Sequence, residues 1–266
     1  PLDKEYDSDL AYIVIYNQGQ RYIVNRINGN LRCRIVYYLM NLDVGKKTIY
    51  LTRHGQSENN IRGKIGGNAA LTETGKKFSK KLYDYMCSEN IEFKVWTSLL
   101  KRTIQTAEIF KDTKQERWKA LNELNAGVCE GMTYNEIMEK YPDEYQKRQQ
   151  DKYCYRYPMG ESYQDLVGRL EPIIMELEQR NNILVISHTA AARCLLAYFG
   201  DYSKEKLPFL EVPLHTVYKL RPTAYGCMIE SIKLEVDTEL TNGSSAAEAS
   251  LPFSSPMPTN GSGMEI

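Results

Sequence analysis

The chain has 266 residues, 42% of them hydrophobic, with 34 basic and 34 acidic side chains and a formal net charge of zero. That length accommodates one sizeable α/β core with additions at either end. The balanced charge argues against nucleic acid or an anionic membrane as the main partner, although a local cluster of arginines could still hold a small anion.

Taken in chain order, DLAYIVIYNQGQRYIVNRI (9–27) predicts two strands around Asn17–Gln18–Gly19, and LRCRIVYYLMNL (31–42) predicts a helix with Ile35, Leu39 and Leu42 on one face. Residues 1–46 are too few and too lopsided to close a core alone. A new rhythm starts at Lys47. TIYLT is a short apolar strand running into a loop dotted with Gly63, Gly66 and Gly67. Thr72 is placed to cap a helix whose apolar positions Phe78, Leu82, Tyr85 and Met86 recur at helical spacing. FKVWTS reads as a strand and RTIQTAEIF as a helix. A loop-rich middle follows, and then Ser162 and Asp165 form a capping-box pattern before a helix carrying Leu166, Leu170, Ile173 and Leu177. NILVIS is a strand and TAAARCLLAYF a helix. Strands alternating with helices predict an α/β fold, a three-layer sandwich with a largely parallel central sheet. Beyond about Val236, serine, proline and glycine dominate, so residues 237–266 read as a disordered tail.

Six scattered cysteines form no Cys-x-x-Cys pair and histidines number three, so zinc-ligand spacing is absent. Unpaired thiols within apolar runs suit a reducing, cytoplasmic setting. No stretch has the length and apolarity of a membrane span, and PLDKEYDSD is not a signal peptide. The two Gly-Lys-Lys stretches lack the earlier glycine of a phosphate loop.

Two stretches carry the chemistry. IYLTRHGQSENN (49–60) and ILVISHTAAARC (183–194) each deliver a histidine, His54 and His188, to the carboxyl end of a predicted strand. In open α/β sheets those ends are where ligands sit. Either histidine alone would be read as structural. Two at equivalent strand ends, with Arg53 and Arg193 nearby, predict one phosphate-handling pocket, because guanidinium groups bind phosphate bidentately and keep their charge. A neutral imidazole among them can attack phosphorus, and a carboxylic acid can protonate the leaving oxygen.

Arg53-His54-Gly55, followed by LTETG, WTSLLKRTIQTAE, LNEL and Gly160-Glu161-Ser162, resembles the histidine phosphatase (phosphoglycerate-mutase-like) superfamily. WKALNE, AGVCE, MTY, QDKY, YRYP, RLEPIIMELE and PLHTV are similar, more narrowly, to the phosphatase halves of the bifunctional 6-phosphofructo-2-kinase/fructose-2,6-bisphosphatases. The likeness runs nearly unbroken over residues 47–235, and residues 1–46 resemble the end of the kinase half and its junction. It implies a fructose-2,6-bisphosphate 2-phosphatase domain at 47–236, acting without metal or cofactor on a sugar bisphosphate through a phosphohistidine. It further implies an attached kinase domain in a parent protein, with a homodimer among the expectations. Residue by residue, it makes His54 the nucleophile, Glu123 the general acid and then base, and Arg53, Arg102 and His188 the surround of the transferring phosphoryl group. Asn60 would help to hold that group. Tyr134, Arg148, Lys152, Tyr163, Thr189 and Arg193 would bind the sugar and its second phosphate, with Ile65 and Gly66 lining the loop nearby. His215 is left structural. Departures from the family pattern are Gln56, Met159 and Thr189, the last standing where glutamine is usual. A broad phosphatase or mutase of the same fold, or a catalytically weak domain that regulates or dimerises a kinase, are the alternatives.

Overall fold

The structure is a computed structural model that describes residues 8–16, 21–41, 47–223 and 226–236. Aromatic and β-branched side chains favour extended backbone, and β1 (Tyr12–Tyr16) and β2 (Arg21–Asn25) pair antiparallel, from Tyr12 opposite Asn25 to Tyr16 opposite Arg21. The turn expected at Asn17–Gln18–Gly19 lies outside the described residues. Helix α1 (Asn30–Asn41) follows, with a different buried side from the one expected. Val36 is its buried residue, Leu39 is half-buried, Ile35 is exposed, and Leu42 lies outside the described residues. Val36 and Leu39 are three apart and so share a face, a stripe next to the one counted from Ile35.

Strands β3 (Ile49–Arg53), β4 (Lys94–Thr97), β5 (Gln115–Arg117), β6 (Ile183–Ser187), β7 (Thr216–Thr223) and β8 (Gly226–Lys233) form one sheet in the order β5-β4-β6-β3-β7-β8. The first four of that order are parallel, and β7 and β8 add an antiparallel edge. The helices are α2 (Glu58–Ile61), α3 (Glu73–Ser88), α4 (Lys101–Ala107), α5 (Tyr134–Lys140), α6 (Pro142–Gln150), α7 (Tyr163–Gln179) and α8 (Thr189–Phe199). The middle of the chain, expected to be mostly loop, contains α5 and α6. Their charged, weakly apolar sequences hide the helical period.

Strand alternation sorts the side chains into two cores, which is what makes three layers. Ile49, Leu51, Trp96, Ile183 and Val185 pack on one face with Leu166, Leu170, Ile173 and Leu177 of α7 and Leu195 and Leu196 of α8. Tyr50, Val95, Leu184 and Ile186 pack on the other with Phe78, Leu82 and Met86 of α3 and Phe110. Both predicted caps form. Thr72 accepts from the Gly75 N–H at 3.1 Å, and Ser162 and Asp165 complete a reciprocal capping box at the start of α7. Among the described residues no helix is long and apolar enough to cross a membrane.

Candidate active site

Because β3 and β6 are parallel neighbours with Arg53 opposite Ser187, the next residue of each strand emerges at the same edge of the sheet. The His54 N–H donates to the Ser187 carbonyl at 3.0 Å, and the rings of His54 and His188 lie 5.2 Å apart between centroids, tilted by 56°. The glycine after His54 is required by a close approach. A Cβ on Gly55 would come within 2.5 Å of the Gly75 carbonyl oxygen.

His54 is 3% exposed, and its Nδ1 sits 2.7 Å from the Gly55 carbonyl oxygen. A carbonyl only accepts, so Nδ1 carries the proton and Nε2 keeps the lone pair. Burial, reinforced by the charges of Arg102 and Arg53, holds the His54 pKa well below its ordinary value, so the ring is neutral at pH 7. A buried, neutral imidazole with a defined free nitrogen is what nucleophilic attack on phosphorus needs.

His188 belongs to a hydrogen-bond relay whose direction can be followed throughout. Arg102 Nε donates to His188 Nδ1 at 3.2 Å, so the ring proton is on Nε2, which lies 2.7 Å from Ser98 Oγ. Ser98 also accepts from the Leu100 N–H, and its own hydroxyl meets Thr103 Oγ1 at 2.8 Å. Thr103 Oγ1 in turn donates to the Leu100 carbonyl at 2.9 Å. His188 is fully buried, and its pKa is held well below the usual value by burial and then by the Arg102 charge. It stands behind His54 and Arg102 and does not itself line the cavity.

Arg102 lies in the first turn of α4 and reaches back with Nη1 to the Gly67 carbonyl at 2.7 Å. The Gly67 N–H is held by the Glu130 carboxylate, whose other oxygen accepts from the Ala126 N–H at 2.8 Å. The loop carrying Ile65 and Gly66 is thereby gripped between a cation and an anion. Gly66 has φ 62°, and a Cβ there would run into the Glu130 side chain. Asn60 closes a capping box with Ser57, its Oδ1 accepting from the Ser57 N–H at 2.9 Å, which leaves the amide NH₂ as its donor. Arg53 Nη1 donates to the Val212 carbonyl at 2.7 Å. Burial pushes the Arg53 pKa down to about 10 against the pull of Glu123, so the guanidinium stays charged at neutral pH. Glu123 has Oε1 fixed by the N–H groups of Leu124 (3.0 Å) and Ala190 (3.1 Å), leaving Oε2 for a proton or substrate.

The far side of the cavity comes from α5, α6, α7 and α8. Arg148, 7% exposed, donates to the Tyr134 hydroxyl at 3.0 Å and stacks over that ring. Lys152 sits over the Phe209 ring at 4.9 Å. Arg193 Nη1 donates to the Tyr163 hydroxyl at 2.9 Å and its Nε to the Leu210 carbonyl at 2.8 Å. Burial raises the Tyr163 phenol to about 12, so it remains a neutral hydroxyl. Thr189 is the first residue of α8 and lies on the wall.

Arg53, His54, Asn60, Ile65, Gly66, Arg102, Glu123, Tyr134, Arg148, Lys152, Tyr163, Thr189 and Arg193 all line one cavity of about 400 Å³. Of the expected site residues only His188 stands off its wall. Six basic side chains face the cavity (the arginines at 53, 102, 148 and 193 with Lys64 and Lys152) against one carboxylate, Glu123. In a chain of zero net charge, that excess marks a site for a polyanion. Sequence reasoning missed Lys64, Tyr155 and Tyr157 on the wall, and Ser98 and Glu130 behind it. Each lies in a stretch already singled out or beside one, but none has a spacing that would have separated it from its neighbours. Among the described residues no group of three or more histidine, cysteine or acidic side chains is placed to hold a metal.

A sequence model of the histidine phosphatase superfamily (branch 1) matches residues 49–235, and one of 6-phosphofructo-2-kinase matches residues 1–46. The chain is 56% identical over 243 residues to a 6-phosphofructo-2-kinase/fructose-2,6-bisphosphatase of Gallus gallus, covering 91% of this chain and 52% of that one. It is 58% identical over 243 residues to 6-phosphofructo-2-kinase/fructose-2,6-bisphosphatase 1 of Homo sapiens, covering 91% and 51%. The chain therefore spans about half the length of the curated relatives it matches. Among solved structures, the alpha-ribazole phosphatase of Shigella flexneri aligns with TM-score 0.64 at 21% identity, covering 72% of this chain and all of that one. A mycobacterial glucosyl-3-phosphoglycerate phosphatase solved with VO3 aligns with TM-score 0.61 at 17% identity, covering 71% of this chain and 100% of that one. These two likenesses establish the shared fold. With the paired strand-end histidines in place and the superfamily model covering the whole sheet, the chain belongs to the histidine phosphatase superfamily (branch 1).

Proposed function

We propose that residues 47–236 form a fructose-2,6-bisphosphate 2-phosphatase domain, releasing fructose 6-phosphate and phosphate through a phosphohistidine at His54. The observation that carries the reading is a neutral His54 with a free Nε2, set in a cavity whose cations fall into two groups. Arg53 and Arg102 bear on the nucleophile with their charges, while Arg148 comes from α6, Lys152 from the turn after it and Arg193 from α8. Two anionic groups on one small substrate fit that division, and the resemblance to the bifunctional enzymes supplies the sugar.

In the first step His54 Nε2 attacks the 2-phosphorus. The bond from phosphorus to the sugar oxygen breaks, its electron pair stays on that oxygen, and Glu123 delivers a proton to it. In the second step Glu123 takes a proton from water as the water oxygen attacks the phosphohistidine, which frees phosphate and restores His54. Arg53 and Arg102 hold the equatorial oxygens throughout. His188 acts through Arg102, whose Nε it fixes, so its expected place around the phosphoryl group becomes a supporting one. The arginines supply the positive charge, and the reading calls for no metal or organic cofactor.

Residues 1–46 are, on this reading, the end of a kinase domain in a longer parent protein; residues 237–266, expected from sequence to be a tail, lie outside the described residues. Cysteines 33, 87 and 154 are exposed and unpaired, which supports a reducing, cytoplasmic setting. The test is hydrolysis of fructose 2,6-bisphosphate compared with several phosphomonoesters and with 3-phosphoglycerate. Strong preference for the bisphosphate is expected. Equal rates on all would favour a broad phosphatase, phosphoryl transfer between glycerates a mutase, and no turnover at all a regulatory or dimerising domain.

A further inference from the structure

Outside the residues already assigned, one guanidinium does far more than an ordinary surface ion pair. Arg169 projects from α7, is about one-quarter exposed, and has a bonded acceptor for each of its five N–H donors. Nε and Nη2 form a fork on Glu161, with both distances 2.9 Å. Nη1 donates to the carbonyls of Ala120 (2.7 Å) and Asn122 (3.1 Å), and Nη2 also reaches the Glu123 carbonyl at 3.4 Å. The Glu161 carboxylate meanwhile accepts from the Asn125 N–H at 3.0 Å, and the Glu161 N–H donates to the Asn125 carbonyl. The backbone of 120–125 is thus held at four points by one ion pair.

We infer that Arg169, forked onto Glu161, is a positioning residue that sets the backbone from which the Glu123 carboxyl reaches the cavity. The inference rests on the acid–base role proposed above for Glu123. The side chain of Glu123 is fixed at one oxygen by the start of α8, and its main chain is fixed by Arg169 from α7. Two helices that pack on each other therefore determine where Oε2 points. Carbonyl oxygens repel one another, so three of them converge only around a cation with several fixed donors. Lysine offers three donors from a single nitrogen and cannot reproduce the planar fork. With both side chains about three-quarters buried, the fork is screened less than an exposed pair.

The test is a double-mutant cycle on the full chain, reading single-turnover formation of phosphohistidine from fructose 2,6-bisphosphate. A displacement of the order of 1 Å at a reacting group costs roughly 100-fold, so Arg169→Lys is expected to lower the rate of that step about 100-fold, with KM and inhibition by inorganic phosphate little changed. In a Glu123→Gln background the same change should cost almost nothing more, because the group being positioned is already disabled. A full additional loss in that background, or an undiminished rate for Arg169→Lys alone, overturns the inference. If Arg169→Lys does not yield folded protein, Glu161→Gln enters the same cycle. It keeps the shape and weakens the fork, and a loss that multiplies with that of Glu123→Gln overturns the inference equally. A Glu123→Gln enzyme of normal rate would overturn the acid–base reading and the clamp with it. A slow Glu123→Gln beside a normal Arg169→Lys removes the clamp alone.

Discussion

His54 Nδ1 lies 2.7 Å from the carbonyl oxygen of Gly55, its own neighbour in the chain, and that contact decides which ring nitrogen can react. The geometry depends on Gly55 lying against Gly75: a Cβ on Gly55 would come within 2.5 Å of the Gly75 carbonyl oxygen, and one on Gly75 within 2.2 Å of the Gln56 carbonyl oxygen. A two-residue motif therefore carries both the proposed nucleophile and the device that selects its tautomer.

Label from the substrate 2-phosphate should consequently appear on His54, and on Nε2 in particular. Quenching in alkali preserves phosphohistidine, and phosphorus NMR of the denatured adduct distinguishes the two ring isomers. His54→Ala should lose both label and turnover. The Nδ1 isomer on an active enzyme would contradict the tautomer argued here, and no label at any time point would remove the two-step mechanism.

Glu123→Gln keeps the shape of the side chain and can still accept from Leu124 and Ala190 through its amide oxygen, but it has no carboxyl proton to deliver. Loss of general acid–base help costs ~10²–10⁴-fold in rate. The deficit should fall on kcat, with substrate affinity nearly intact, because on the proposed reading the phosphate is held by arginines. Near-normal kcat would take Glu123 out of the chemistry.

The legibility of this molecule was uneven for physical reasons. Apolar strands ending on His54 and His188 were readable because a fully buried parallel strand is a continuous apolar run, and a polar residue at its end stands out. Phe78, Leu82 and Met86, and likewise Leu166, Leu170, Ile173 and Leu177, are all fully buried, as their spacing implies. The helices that bring Arg148 and the tyrosines were not legible by period, since α6 is charged on most faces and buries Arg148 alone. Resemblance, not pattern, pointed to those residues. Ser98 and Arg169 escaped both routes. Their roles come from hydrogen bonds to residues 90 and about 46 positions away, and sequence spacing carries no sign of such contacts.

Ser98→Ala should destabilise the chain by ~1–3 kcal/mol, because it leaves the Nε2–H of a fully buried His188 without its acceptor. Urea denaturation monitored by tryptophan fluorescence would measure this, Trp96 lying two residues away in the core. A variant within a few tenths of a kcal/mol of the parent would mean that the Ser98 hydroxyl is not needed to satisfy the buried His188 ring.

Stability should also depend on pH through the two strand-end histidines, His54 and His188. Both are held well below their ordinary pKa, by burial first and by Arg102 next. In the unfolded chain they titrate near ~6.5. Below that value the unfolded state binds protons that the folded state refuses, so stability is complete above about pH 6.5 and declines as pH falls toward the depressed folded values. The limiting slope is ~1.4 kcal/mol per pH unit for each histidine. Denaturation midpoints measured at several pH values between neutral and mildly acidic should fall steadily. His188→Asn should flatten that trend, and a midpoint that holds constant in the parent would show that the histidines charge freely in the fold.

Thr189 is the position where this chain departs from the glutamine usual in the bifunctional enzymes, and the structure puts it on the cavity wall at the first turn of α8, directly after His188. A threonine hydroxyl is shorter than a glutamine amide and offers one donor where the amide offers two. At this place the longer side chain would start from the cavity wall at the beginning of α8. A neutral hydrogen bond is worth ~0.5–1.5 kcal/mol, which corresponds to roughly two- to tenfold in affinity. On the proposed reading the contacts of Arg53, Arg102 and Arg148 with phosphate are charge-assisted and stronger, so they would dominate binding with either residue at 189. Thr189→Gln should therefore lower KM for fructose 2,6-bisphosphate by that modest factor and leave the rate of phosphohistidine formation almost unaltered. The comparison is clean because Thr189 makes no part of the His54, Arg102 or Glu123 hydrogen-bond sets. Abolished turnover in Thr189→Gln would give the threonine a direct part in the reaction, and unchanged constants would mean that the sugar does not reach this wall at all.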